Sequence, residues 1–251
     1  MLSMANYQMS VFGDYAGIVP EMNLIAKLAE FSSDFRLLPS MVNVLSINMP
    51  ASAVDMPENA IANAQLKTLA RIKLIDATRH WNAVILPERI DVNYLPPVSG
   101  EAKDLRQVSE SSCELIKHIV SVCEATYGRM AVNLALRAKP ESAEKVTAFR
   151  NKLEGPFSFQ SAKKSKEWQI STNIPELIKL SDDKNEAVNV ICSLALQTET
   201  PGWAKVHLDV NTSPANMTPR FNDAMLTEFR VKAIDIIANM INEIEKELDN
   251  A

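Results

Sequence analysis

Ile90-Asp91-Val92-Asn93, followed by Pro96, returns 118 positions later as Leu208-Asp209-Val210-Asn211, followed by Pro214. Each copy leads into the longest amphipathic stretch of its half. A recurring tetrapeptide alone means little, but three other pairs repeat in the same order. Pro20-Glu21 returns as Pro140-Glu141 at an offset of 120, Met9 and Val11 as Met130 and Val132 at 121, and Trp81 as Trp203 at 122. Four matches at nearly one offset read as an internal duplication, with residues 1–128 forming one unit and 129–251 the other. The period is too long for a solenoid.

The periodicities within each unit follow one plan. In the first, residues 7–12 suit a short strand and Pro20–Phe31 a helix with Leu24, Ile25, Leu28 and Phe31 on one face. Segments 41–49, 65–75, 81–86 and 90–94 read as strands, and Lys103–Tyr127 as a long helix ended by Gly128. Residues 51–63 form a loop with Pro57. In the second unit, strands are expected at 130–136, 168–172, 188–196 and 204–210, and a helix at Pro140–Leu153 stopped by Gly155. A last helix is capped by Thr218, with Pro219 at its first position. Short strand connections favour antiparallel pairing, and a helix with one apolar stripe must lie across the sheet. The expected class is α+β: two tandem strand, helix, antiparallel strands, long helix units, the helices packed across curved antiparallel sheet.

That plan resembles the helix-across-sheet topology of TATA-binding-protein-like and helix-grip folds, a likeness that carries no activity. The strand Arg89-Ile90-Asp91-Val92-Asn93-Tyr94, the strand His207-Leu208-Asp209-Val210-Asn211 and the long helix after each resemble a sporadically distributed bacterial family of conserved hypothetical proteins. The family has no established activity. The resemblance implies this fold and a bacterial or phage-related origin, and it transfers no catalytic residue.

Composition excludes several classes. The chain has 251 residues, 47% hydrophobic and 23% charged, as expected of a globular protein with a sizeable core. Its net charge of -5 is spread evenly, with 10 Lys/Arg against 14 Asp/Glu in residues 1–127 and 16 against 17 in 128–251. Nucleic acid is therefore disfavoured as a partner, because phosphate neutralisation needs concentrated Lys and Arg. Lys163-Lys164-Ser165-Lys166 reads as a solvated loop tip. Three cysteines, Cys113, Cys123 and Cys192, make no disulfide frame or zinc knuckle, which points to a reducing cytoplasm. No signal peptide or membrane-spanning run is visible. The six glycines cluster into neither a phosphate loop nor a nucleophile elbow.

Chemistry-bearing candidates are few. Asp91 with Asn93, and Asp209 with Asn211, each share a strand face and offer oxygens to a hard cation. The competing reading makes them outward polar residues of strands whose core face is Ile90, Val92, Leu208 and Val210. Asp91 followed by Glu101-Ala102-Lys103 resembles a metal-dependent nuclease core, but Pro96-Pro97-Val98-Ser99-Gly100 places the Glu at a helix start, where it serves the helix dipole. His80, His118 and His207 do not converge, and Trp81 and Trp203 read as sheet anchors. The eleven methionines suit core filler or a pliable contact surface equally.

No catalytic, cofactor-binding or metal-ligating residue is assigned and no cofactor is expected. The expected function is that of a non-enzymatic binding or assembly protein acting through protein contacts as a homo-oligomer. The alternative is a metal-dependent hydrolase or nuclease using Asp91 and nearby acids. A third reading, nucleic-acid binding on a saddle-like sheet, runs against the overall charge.

Overall fold

Tyr7, Met9 and Val11 alternate with Gln8, Ser10 and Phe12, and this two-residue period makes Leu2–Phe12 (β1) a strand with one apolar face. The computed structural model describes residues 2–31, 37–48, 65–97, 103–154, 167–181, 184–197 and 202–250. After β1 come α1 (Met22–Phe31), β2 (Leu37–Asn48), β3 (Gln65–Asp76), β4 (Trp81–Ile85), β5 (Arg89–Tyr94) and α2 (Leu105–Val122). The chain continues through β6 (Arg129–Ala138), a 3₁₀ turn (Pro140–Ser142), α3 (Ala143–Glu154), β7 (Glu167–Ser181), β8 (Lys184–Gln197), β9 (Ala204–Thr212) and α4 (Asp223–Asp249).

The nine strands form one antiparallel sheet in the order β2-β3-β4-β5-β1-β6-β9-β8-β7. The fold is therefore α+β. At the centre β1 pairs with β6, Met9 facing Val132 and Val11 facing Met130. The helices lie on one face of this sheet. Val108, Leu115, Ile116 and Ile119 of α2, with Leu226, Phe229, Ala233 and Ile237 of α4, close over Tyr7, Met9, Val92, Val132, Leu208 and Val210 in one buried cluster. Each large apolar side chain removed from water there contributes roughly 1.5–3 kcal/mol. Leu28 of α1 joins the same cluster, and Val146 of α3 packs with Leu196, Ala204 and Leu248 in a smaller one.

The first three helices begin two or three residues later than expected, at Met22, Leu105 and Ala143, and two ends differ by more. Asp104 caps α2 by accepting from the Arg106 amide at 3.0 Å, but the helix stops at Val122 rather than Tyr127. Glu124 adopts φ 49°, the left-handed conformation that turns the chain out of a helix. The last helix begins at Asp223, with Asn222 as cap accepting from the Met225 amide at 2.9 Å, so Thr218-Pro219 lies in the preceding loop. That loop is tied down. The Arg220 guanidinium reaches the carbonyl of Gly128 and, at 2.5 Å, both the Asn216 carbonyl and the Glu186 carboxylate. A Cβ on Gly128 would sit 2.2 Å from the Met217 carbonyl oxygen, so only glycine admits this approach.

Strands β1, β2, β6, β7, β8 and β9 run longer than their patterns suggested, β7 by nine residues at its C-terminal end. The loop at 51–63, Gly100, Gly155 and the basic run at 163–166 lie outside the described residues.

Candidate functional site

Every core residue on a central strand leaves a neighbour on the sheet's second face, away from the helices. The registers align these neighbours into rows across the strands. Along β4, β5, β1, β6 and β9 one row reads Val84, Asp91, Ser10, Ala131 and Asn211. The next reads Asn82, Asn93, Gln8, Asn133 and Asp209. Five consecutive polar side chains on five neighbouring strands span about 19 Å at the usual inter-strand spacing. No described helix packs on this face.

The first row is internally bonded. Ser10 donates its hydroxyl to Asp91 Oδ1 at 2.6 Å, and Arg89 Nε lies 2.9 Å from Asp91 Oδ2. Both carboxylate oxygens are engaged, and Asp91 is only 5% exposed. It is therefore a buried, paired strand residue rather than a solvated outward one. Asn211, also buried, accepts at Oδ1 from Arg129 Nη2 at 3.2 Å and from the Asn189 amide at 3.5 Å, and donates to Asp209 Oδ2 at 3.0 Å. Arg129 also donates to the Thr212 carbonyl at 3.2 Å and lies 4.4 Å from the Phe12 ring centroid.

Asp209 is left less satisfied than Asp91. Its Oδ1 is buried with no hydrogen-bond partner among the described residues. Burial pushes its carboxyl above the usual carboxylate range, against the lowering effects of the Asn211 amide, His207 and Arg129. Asn93 accompanies Asp91 in sequence but bonds elsewhere, donating to Asn82 at 3.1 Å.

The other sequence candidates do not assemble. His80 makes a 2.9 Å contact with the Leu95 carbonyl in the turn before β4, His118 sits in α2, and His207 is exposed on β9. Glu101 and Ala102 lie outside the described residues, while the Lys103 ammonium sits 5.6 Å from the Trp81 ring centroid. Trp81 is buried against Tyr94 with centroids 4.9 Å apart, as a sheet anchor is. Trp203 is half-buried in the turn leading into β9. Burial raises all three thiols, Cys123 to about 11, so none is poised as a thiolate nucleophile. Among the described residues, no three His, Cys, Asp or Glu side chains gather as a metal site, and no helix is long and apolar enough to cross a membrane.

An apolar groove of about 290 Å³ lies between the helix layer and the β7/β8 ribbon, lined by Phe149, Ile170, Cys192, Leu194 and Ile244 with Glu243 and Glu247. Sequence reading missed the amide row because it took Asp91 and Asp209 as isolated pairs. Its signal was nonetheless present: Gln8, Asn93, Asn133 and Asp209 each stand between two core residues of a strand. No family model matches the chain, and neither a curated protein nor a solved structure matches it.

Proposed function

We propose that this chain is a non-enzymatic binding or assembly protein of bacterial or phage-related origin, acting through protein contacts as a homo-oligomer. The observation that carries this reading is the pair of long edge strands. Among the described residues no strand pairs on the outer side of β2 or β7, and an edge of this kind is the feature through which sheets recruit further chains. Both also expose large apolar side chains: Leu38 at 66% and Met41 at 67% on β2, Ile174 at 52% and Leu177 at 76% on β7. Each edge carries one proline, Pro39 or Pro175, which removes a backbone donor and limits how a partner strand can pair.

The same reading takes the chain as a duplicated unit with its sheet curved around the helices. The strand order supports this. Outward from the central β1/β6 pair stand β5 and β9, then a meander ending at β2 or β7, the strand that follows the first helix of its half. Among the described residues the first half carries one more strand than the second. Aligning Met9 with Met130 sets the Ser10–Asp91 pair on the Ala131–Asn211 pair, so the counterpart of Asp91 is Asn211 and not Asp209. The shared Asp-x-Asn motif is then offset by two residues between the halves.

Light scattering after size exclusion tests the assembly reading. The wild-type chain should elute as an oligomer, and Ile174→Lys with Leu177→Lys should shift it toward monomer without changing the circular dichroism. A wild-type monomer at all attainable concentrations would overturn it.

A further inference from the structure

Although the chain is acidic overall, its charge is not evenly placed on the fold. α4 carries seven Asp and Glu against three Lys and Arg. Among the described residues the registers place Arg71, Lys73, Arg89, Arg129, Arg137, Lys179 and Lys205 on the second face of the sheet against Asp91, Glu167 and Asp209, so the balance reverses there. Asp91 is already held by Arg89.

Four of these cations sit at two ends of the central strands. Arg89 and Arg129 lie at one end of the central strands, Arg137 and Lys205 at the other, and the amide row lies between. Along β6 the eight-residue separation of Arg129 and Arg137 is about 27 Å. Arg137 and Lys205 are also direct cross-strand partners, both exposed, and neither has a carboxylate partner among the described residues. Like charges directly opposite each other weaken a strand pair, so this arrangement does not serve the fold. Ser3, Gln169, Ser171, Ser193 and His207 continue the hydrogen-bonding surface around it.

We infer that this face binds double-stranded nucleic acid, Arg137, Lys205, Arg89 and Arg129 contacting phosphates while the amides of Gln8, Asn93 and Asn133 meet groove edges. Neutral amides offer both donors and acceptors, which groove edges require, and the cations supply the salt-dependent affinity. A duplex is favoured over a single strand because the face lacks a stacking platform. Its aromatic side chain among the described residues is Phe12, and Arg129 lies over that ring. The inference stands on charge placement and is independent of the edge-strand reading above.

Fluorescence anisotropy with a labelled duplex DNA of about one to two helical turns tests it. The full-length chain should bind at low salt and lose on the order of several hundred-fold in affinity between 50 and 200 mM salt, as four to five phosphate contacts imply. Arg137→Glu is the decisive variant. It places a carboxylate opposite Lys205, so its melting temperature should hold or rise, while duplex affinity should fall about tenfold or more and the salt slope should flatten by about one to two units. Lys246→Glu, on the helix layer, should leave binding unchanged. Absence of duplex binding at low salt, equal losses in the two variants, or tighter binding to single-stranded DNA would overturn the assignment. A shift of Arg137→Glu from oligomer to monomer without DNA binding would instead identify the face as a contact for the acidic helix layer of a second copy.

Discussion

Ser10 and Asp91 face each other across β1 and β5, and the serine hydroxyl donates to the carboxylate at 2.6 Å in a place almost closed to water. With Arg89 ion-paired to its other oxygen, Asp91 closes a polar unit at the centre of the sheet whose serine and carboxylate are buried. Asp91→Ala removes an acceptor and strands a hydroxyl, a cost of about 1–3 kcal/mol. Chemical denaturation should read that loss. Divalent cations should shift the melting temperature of wild type and variant equally; a large shift in wild type alone would restore the metal reading.

Arg220→Ala should be costlier. Its guanidinium pairs with Glu186 at 2.5 Å, the two side chains being 16% and 10% exposed, and its removal leaves a mostly buried carboxylate. A loss of about 3 kcal/mol is expected. Because Arg220 also holds the Gly128 and Asn216 carbonyls, Glu186→Gln should cost less than Arg220→Ala. Equal losses would show that the carbonyl contacts contribute nothing.

Asp209 sets a pH dependence of definite sign. An unfolded chain ionises this carboxyl near 3.9, and in the fold burial raises the value. Between the two, the folded state holds a proton the unfolded state has released. The contribution of Asp209 to stability is therefore fully present below the unfolded value and is lost as pH rises through the folded one. Asp209→Asn should be more stable than wild type at neutral pH, with the difference shrinking as pH falls. Stability curves from pH 3 to 7 will show whether the gap closes in that direction.

Gly128→Ala should destabilise by about 2 kcal/mol or more, since the new methyl meets the Met217 backbone at 2.2 Å and neither segment is free to yield. Thermal unfolding of the variant measures this. A neutral outcome would mean that the loop before α4 moves readily.

Most elements were readable from the chain because their signals are local. Tyr7, Met9 and Val11 declare a strand, and Val108, Leu115, Ile116 and Ile119 declare one face of a helix. Where sequence reading failed, distant contacts outweighed local ones. Thr218-Pro219 has the chemistry of a helix start, yet Arg220 is bonded to Tyr127, Gly128 and Glu186, and those bonds keep the chain out of a helix until Asn222. The C-terminal part of β7 was missed because an edge strand exposed on both faces has little reason to alternate; only Ile178 and Leu180 are buried there. The candidate face was half legible. Its polar residues were visible, but which of them stand side by side depends on long-range registers, such as those that set Ser10 beside Asp91 and Gln8 beside Asn93 and Asn133.

The central position of β1 bears on how the chain reaches this state. Tyr7 lies against Tyr94 on one side and Leu134 on the other. During synthesis the first strand must remain unmated while some 80 residues emerge, and its second side stays uncovered until β6 has been made. Non-local pairing of this kind slows folding and leaves an apolar strand exposed to intermolecular association meanwhile. Conditions that speed translation or raise the concentration of nascent chains should therefore lower the yield of soluble protein more than equilibrium stability alone implies.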